Sequence, residues 1–299
     1  MEERIDFSPI LGKGLGPRTL EYTWRDVALY ALGVGATKND LPYIYERNPG
    51  GMKVLPTFGM VPYINSVNMN PVRHVPYGPN EIASDFIVER LGHVPNRLHM
   101  AMELTVFRPI AAEGMFLTED RLNAVYDRGE GRGVVADCQM DVYDRAGNPV
   151  CTMHSYHYHA AFGGYGGPAF DSRRIEFPET SPDYEAEEYM PDNIAVLYRL
   201  SGDTYSVHID PSVSGAYGYP MPFNQGLCTM GYASRMLLQA VIPYQPERVK
   251  KIYVQMRNVC FPGQTVHLQA WDAQPGKIIF RLLDSNGGLL LGNGQFEYE

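Results

Sequence analysis

The stretch "KIIFRLLDSNGGLLLGNGQFEY", residues 277 to 298, reads as two apolar strands joined by a D-x-x-G turn, Asp284 to Gly287. Asp and Gly at that spacing favour a tight reversal between antiparallel strands. The pattern also stands earlier in the chain, where "GVVADCQMDVYDRAGNPVCTMHSYHYH", residues 133 to 159, turns at Asp144 to Gly147. Working back from each turn, an Arg-bearing strand and a Pro and Gly break come first, in "LTVFRPIAAEGMFLTEDRL" from residue 104 and "IYVQMRNVCFPGQTVHLQAW" from residue 252. Before those strands each half has a helical stretch introduced by a Pro, Phe and Gly cluster, "LPTFGM" at 55 to 60 and "MPFNQGL" at 221 to 227. This repetition predicts an internal duplication of one unit, a helix with an antiparallel sheet.

A chain of 299 residues, 44% hydrophobic and 20% charged, has the length for two domains and a large core. Gly, Pro and acidic residues crowd together between about 160 and 192 without helical or strand period, which predicts a connection there. The expected division is a first domain over 1–162, a linker over 163–190 and a second domain over 191–299. The "GGYGG" inside the connection lacks the flanking strand, helix and Lys of a phosphate loop. A net charge of −9 and a pI near 5.4 argue against nucleic acid or an anionic membrane as partner, and the densest basic run, "ERVKK" at 247 to 251, reads as a solvated turn.

Cys138, Cys151, Cys228 and Cys260 form no CxxC pair and read as reduced residues of an intracellular protein. No run approaches the 18 or so apolar residues of a membrane span. "MEERIDFSPI" is too acidic to open a leader, and "GQFEYE" is no Ser-Lys-Leu address, so the cytosol is the expected compartment.

After the second Pro, Phe and Gly cluster, Leu227, Met230, Ser234, Leu237, Leu238 and Val241 share one helical face, and Pro243 stops the helix. Asn224 is the expected N-cap, with Gln225 and Gly226 presenting free backbone N–H groups that suit an oxyanion. "YTWRDVALYALG", residues 22 to 33, has Thr23 and Asp26 at capping-box spacing and predicts a helix packed on the first domain. The "LGVGATK" run that follows reads as a Gly C-cap rather than a phosphate loop. In "HSYHYH", His157 and His159 share a strand face, but no Cys or carboxylate joins them to make a zinc site.

The chemistry-bearing stretch is "YRLSGDTYSVHIDP", residues 198 to 211. Asp203 and His208 lie five apart, which is not a same-face helical spacing, so a loop must bring them together. A carboxylate and an imidazole that grip one water can deprotonate it and return the proton. A backbone N–H aimed at a thioester carbonyl stabilises the enolate formed when that water adds to the β-carbon. Such a hydration needs no metal.

At "RLSGD" with "VHIDP", and in "GYPMPFNQGLCTMGYASR", the sequence resembles the MaoC-like (R)-specific enoyl-CoA hydratases, the hydratase 2 family, whose motif is Gly-Asp-x-Asn-Pro-aliphatic-His. The first half is similar in "YALGVGA", "YIYE" and "VLPTFGMVP". The resemblance implies an α+β double hotdog, each half wrapping a helix in an antiparallel sheet, with the second half catalytic and the first making room for the acyl chain. It implies Asp203 and His208 as the catalytic pair and Gly226 as the oxyanion donor, with Gln225 and Asn224 beside the substrate and Arg257 either a cation for the CoA phosphates or half of a surface ion pair. No cofactor is implied. The reaction implied is syn hydration of a trans-2-enoyl-CoA to the (3R)-3-hydroxyacyl-CoA, or the reverse, by a homodimer, with the peroxisome as the family's other compartment.

The sequence departs from that motif at Tyr205 and Ser206, which replace Asn and Pro, and at Gln225, which replaces a frequent His. The phenol of Tyr205 can act as an acid, reshape the pocket, block the water or simply point into the core. Three readings follow: a hydratase, a dehydratase or isomerase retuned for a bulky biosynthetic intermediate, and a catalytically silent acyl-CoA-binding homologue.

Overall fold

The computed structural model of the chain describes residues 5–65, 79–91, 97–160 and 163–299. The first four residues of the acidic opening stretch and residues 161 and 162, the end of the expected first domain, lie outside them.

In the first half the strands are β1 (Arg18–Tyr22), β2 (Arg97–Val106), β3 (Gly114–Asp127), β4 (Val134–Tyr143) and β5 (Pro149–His159). The second half supplies β6 (Tyr184–Met190), β7 (Val249–Met256), β8 (Gln264–Gln274), β9 (Lys277–Leu283) and β10 (Leu289–Tyr298). All ten join one antiparallel sheet in the order β1-β3-β4-β5-β2-β7-β10-β9-β8-β6. Outward from the β2–β7 junction the two halves run in the same order, β2-β5-β4-β3-β1 and β7-β10-β9-β8-β6, as a duplication requires. The two D-x-x-G turns match bond for bond. Gly147 and Gly287 donate to the carbonyls of Asp144 and Asp284 at 2.9 and 3.0 Å, with φ of +79° and +81°. The Asp144 and Asp284 carboxylates accept from the backbone N–H two and four residues on. An L side chain resists that φ, which is why both turns carry Gly.

The helices of the first half are α1 (Trp24–Gly33), α2 (Leu41–Ile44), α3 (Val61–Asn65) and α4 (Pro79–Leu91), and those of the second are α5 (Ile194–Tyr198), α6 (Pro211–Ala216) and α7 (Gly226–Val241). The predicted apolar helix is α7, buried over Leu227 to Leu238 against β6, β7 and β8. Its counterpart, α4, packs on β3 and β4. The architecture is a double hotdog.

Two details differ from the sequence reading. The aperiodic connection ends in a strand, because Tyr184 to Met190 alternate in burial and pair with β8 as the outer edge of the second half. The helix α1 is not packed on the first half alone. Its capping box forms, with Asp26 Oδ2 accepting from Thr23 N at 2.7 Å. At its other end Gly35, at φ +89°, closes a Schellman motif with Gly35 N to Leu32 O at 3.1 Å and Ala36 N to Ala31 O at 2.8 Å. Beyond these caps it crosses to α5 and α7 of the second half. Small residues allow that approach: a Cβ on Gly231 of α7 would stand 2.4 Å from Val34 Cγ1. Arg235, buried on α7, donates through Nε to the Val34 carbonyl at 2.8 Å and pairs with Glu188 on β6.

Among the described residues no helix is long and apolar enough to cross a membrane, and the four cysteines are free and buried.

Candidate active site

The loop carrying the Asp and His pair leaves α5 through a single helical turn at Arg199–Ser201 and bends at Gly202, φ +134°, a conformation L side chains rarely adopt. That bend turns Asp203 back toward the next single turn, Ser206–His208. Asp203 Oδ1 accepts the backbone N–H of Tyr205 at 3.1 Å, which fixes the carboxylate and leaves Oδ2 free for a second partner. His208 Nδ1–H donates to the Phe223 carbonyl at 2.8 Å, since a carbonyl can only accept. The proton therefore sits on Nδ1, and Nε2 presents its lone pair.

Nε2 and Asp203 Oδ2 stand 4.0 Å apart, with side chains 11% and 19% exposed. That gap is too long for a direct hydrogen bond and admits one water at about 2.8 Å from both. Phe223 and Tyr205 hold the imidazole edge-on, at ring-centroid distances of 5.1 and 5.9 Å.

Helix α7 begins at Gly226 in the same cleft, and as its first residue Gly226 has no intrahelical acceptor for its N–H. The cap itself differs from expectation. Gln225, not Asn224, occupies the N-cap position, and neither side chain caps the helix. Asn224 is drawn inward: its backbone donates to Cys260 O at 2.7 Å, and its amide lies 3.3 Å from Met190 Sδ. Gln225 is buried and donates to Ala195 O at 3.2 Å, away from the cleft. A Cβ on Gly226 would meet Met256 at 3.4 Å, ordinary contact, so crowding within the chain does not explain the glycine. Arg257, exposed just beyond β7, lines the cleft and has no carboxylate partner among the described residues.

Tyr205 also lines the cleft rather than the core. Its hydroxyl lies 3.0 Å from that of the exposed Tyr217 on the loop above, so it bonds away from the Asp and His pair, and burial above all pushes its pKa up.

The cleft encloses about 1580 Å³ and draws walls from both halves. Sequence reasoning missed its first-half wall, where Tyr63 of α3, His99 of β2 and His157 of β5 form a half-buried polar cluster around the buried Ser155 of β5. Ser155 Oγ lies 2.9 Å from Tyr63 Oη, 3.0 Å from His99 Nε2 and 2.8 Å from His157 Nε2, and Tyr63 Oη lies 2.8 Å from His157 Nε2. Burial above all pushes the Tyr63 phenol up, with the Asp203 carboxylate among the charges that add to it. The signal was "HSYHYH", weighed only as a metal site. Its last residue, His159, instead faces Asn80 Oδ1 at 3.0 Å.

Burial, first of all, lowers the His99 and His159 pKa values to about 4 and holds His157 well below 6.5. Between about pH 6.5 and 4 the unfolded chain therefore binds protons that the folded one refuses. The stability these groups contribute is complete above pH 6.5 and is lost as pH falls toward 4, on the order of 3 kcal/mol for each group held near 4. Thermal unfolding should show the midpoint falling steeply over that window, and His99→Gln should flatten the slope. A midpoint constant from pH 7 to 4.5 would contradict this.

Comparison with known proteins matches the two halves separately. Residues 20–159 match the model described as the MFE-2 hydratase 2 N-terminal domain, and residues 175–283 the MaoC like domain. The chain is 28% identical to a probable enoyl-CoA hydratase 2 of Dictyostelium discoideum, over 97% of this chain and 95% of that one. It is 30% identical to the peroxisomal multifunctional enzyme type 2 of Mus musculus over 89% of this chain, and spans 35% of that longer protein. The crystal structure of a MaoC-like dehydratase from Phytophthora capsici superposes with a TM-score of 0.83 at 28% identity, covering 99% of each chain.

Proposed function

The chain belongs to the MaoC-like hydratase 2 family, and from that premise we propose that it hydrates trans-2-enoyl-CoA thioesters, or dehydrates the product, with Asp203, His208 and Gly226 as its catalytic groups. The observation that carries this reading is the 4.0 Å gap between two oriented side chains beside an unpaired helix-terminal N–H. Water held in the gap attacks C3 of the enoyl group as His208 Nε2 takes one of its protons. The electron pair of the C2–C3 double bond moves to the thioester oxygen, where Gly226 N–H stabilises the enolate. The imidazolium, beside the Asp203 carboxylate, returns the proton to C2. Both atoms arrive from one face, giving syn addition, and the face taken in this reading is the one that gives the (3R)-3-hydroxyacyl-CoA of the (R)-specific family.

The second domain, over 191–299, carries the chemistry in this reading, and the first, over 1–162, holds the acyl chain, with residues 163–190 between. Arg257, at the cleft wall, meets the CoA phosphates in this reading. Gln225 acts by bracing the helix start rather than by touching substrate, and Asn224 lies at the cleft wall. A homodimer in the cytosol, or in a peroxisome as for the mouse relative, completes the proposal.

The rival of a catalytically silent acyl-CoA binder rests on Tyr205. The phenol bonds Tyr217 and leaves the gap between Asp203 and His208 open, which favours an active enzyme. What position 205 supplies to the pair is its backbone N–H, which any residue but proline has. Tyr205→Asn should thus keep turnover and raise kcat/KM for bulkier acyl chains. Tyr205→Pro should lose about tenfold or more by freeing the carboxylate. Loss of turnover in Tyr205→Asn would make the phenol catalytic. Turnover of trans-2-enoyl-CoAs of several lengths by the parent protein tests the main reading, and acyl-CoA binding without turnover at any length would overturn it.

A further inference from the structure

A cleft that takes a plain hydrocarbon chain is best lined with apolar side chains, because a polar group buried without a partner is costly. The first-half wall is otherwise. His99 and His157 pair across β2 and β5 and stack with ring centroids 4.8 Å apart and planes at 15°. His99 Nε2 lies 3.1 Å from the Ala101 carbonyl, which can only accept, so this nitrogen carries the proton and shares it with Ser155 Oγ. His157 Nε2 lies 2.8 Å from both Ser155 Oγ and Tyr63 Oη, each of which carries a hydroxyl proton, so this nitrogen is assigned as their acceptor. His157 is left with its proton on Nδ1, and His99 with a bare Nδ1. Neither Nδ1 has a partner among the described residues, and neither belongs to the buried atoms cut off from the cleft.

We propose that this pair is a subsite for a hydroxyl group on the acyl chain, so that the preferred substrates are hydroxylated enoyl-CoAs rather than plain fatty ones. The inference rests on the hydratase reading for its site and names the substrate class of that site. A hydroxyl suits it because it both accepts, from His157 Nδ1–H, and donates, to His99 Nδ1. A carboxylate only accepts, and meets the His99 lone pair with repulsion. The imidazoles stay neutral near pH 7 because burial lowers both pKa values, so no cation waits there for an anion.

Binding of saturated acyl-CoAs, which cannot be hydrated, reads the subsite apart from turnover. Calorimetric titration of the parent protein would compare unsubstituted, ω-hydroxy and ω-carboxy chains of four to sixteen carbons. At the length where the terminal hydroxyl reaches the pair, the ω-hydroxy chain should bind at least tenfold more tightly than the unsubstituted one, and the ω-carboxy chain should gain nothing. In His99→Leu the ratio should fall to about one, and in Ser155→Ala, which removes the group that orders the protons, it should shrink. An apolar wall gives the opposite sign, since the hydroxyl then loses its water. Equal or weaker binding of the ω-hydroxy chain at every length overturns the proposal, as does an equal gain for the ω-carboxy chain or an undiminished ratio in His99→Leu. A hydroxyl preference in binding, with no hydration of any enoyl-CoA, would instead overturn the hydratase reading and leave the subsite standing.

Discussion

Asp203→Asn and His208→Gln should each lower the rate of trans-2-enoyl-CoA hydration by on the order of 10²–10⁴, with the fold intact. The Asn keeps an oxygen for the Tyr205 N–H, now 3.1 Å from the carboxylate, so the turn that places it survives. What it loses is the charge that holds the water and faces the imidazolium. A Gln at position 208 has no lone pair with the basicity of Nε2, although its amide can still donate to the Phe223 carbonyl. Both side chains are partly exposed to the cleft, so neither change opens a core cavity, and unfolding midpoints should move little. Initial hydration rates beside thermal midpoints read both. Either variant working at near-parental rate would remove its residue from the proposed mechanism.

The second large effect comes from one atom. Gly226 can be replaced by proline almost without disturbing the helix, because proline is favoured at the first helical position and the site is already prepared for it. Gln225 before it has φ −57° and ψ 136°, the extended conformation a residue before proline adopts. Gly226→Pro replaces the N–H with the ring Cδ, and turnover should fall by about 10² to 10³, as for other lost oxyanion donors. Gly226→Ala keeps the N–H and sets a Cβ 3.4 Å from Met256, so it should stay within a few-fold of the parent. Equal loss in both would mean that crowding against the substrate, not the hydrogen bond, explains the glycine. The kcat of each variant on one enoyl-CoA decides this, with circular dichroism confirming the fold.

The parts of the fold legible in the sequence were those written as local pattern. Strand alternation, the Asp284 and Asp144 turns and the apolar stripe of α7 each follow from backbone geometry and burial within a few residues, so the duplication could be read before any coordinates. The family pattern pointed to Asp203, His208 and Gly226, and the structure brings all three to one cleft. Contacts between distant segments were not legible. Nothing near His208 in sequence announces the Phe223 carbonyl that sets its tautomer, because that carbonyl arrives on the loop entering α7. Asn224 looked like an N-cap by residue type, yet the sulfur of Met190 and the Cys260 carbonyl, brought by β6 and the loop after β7, outcompete the helix end for its amide and backbone. The crossing of α1 onto the second half depends on the absence of a Cβ at Gly231, some two hundred residues away. The histidines of "HSYHYH" were visible as a cluster, but only β2 and α3 reveal what they face, and so move them from a metal question to a substrate one.

The central claim is that one water, held between Asp203 and His208, adds across the enoyl double bond while the Gly226 N–H holds the thioester oxygen. It is tested most directly by the configuration of the product formed in D2O, because one water held by one pair must set the hydroxyl and the incoming deuteron on the same face of the double bond. Parent protein incubated with a trans-2-enoyl-CoA should yield 3-hydroxyacyl-CoA that an R-specific hydroxyacyl dehydrogenase consumes fully and an S-specific one leaves untouched, and Asp203→Asn should yield almost none of it. An anti relation between hydroxyl and deuterium, an S product, or product formed equally well without the Asp203 carboxylate, would contradict the account.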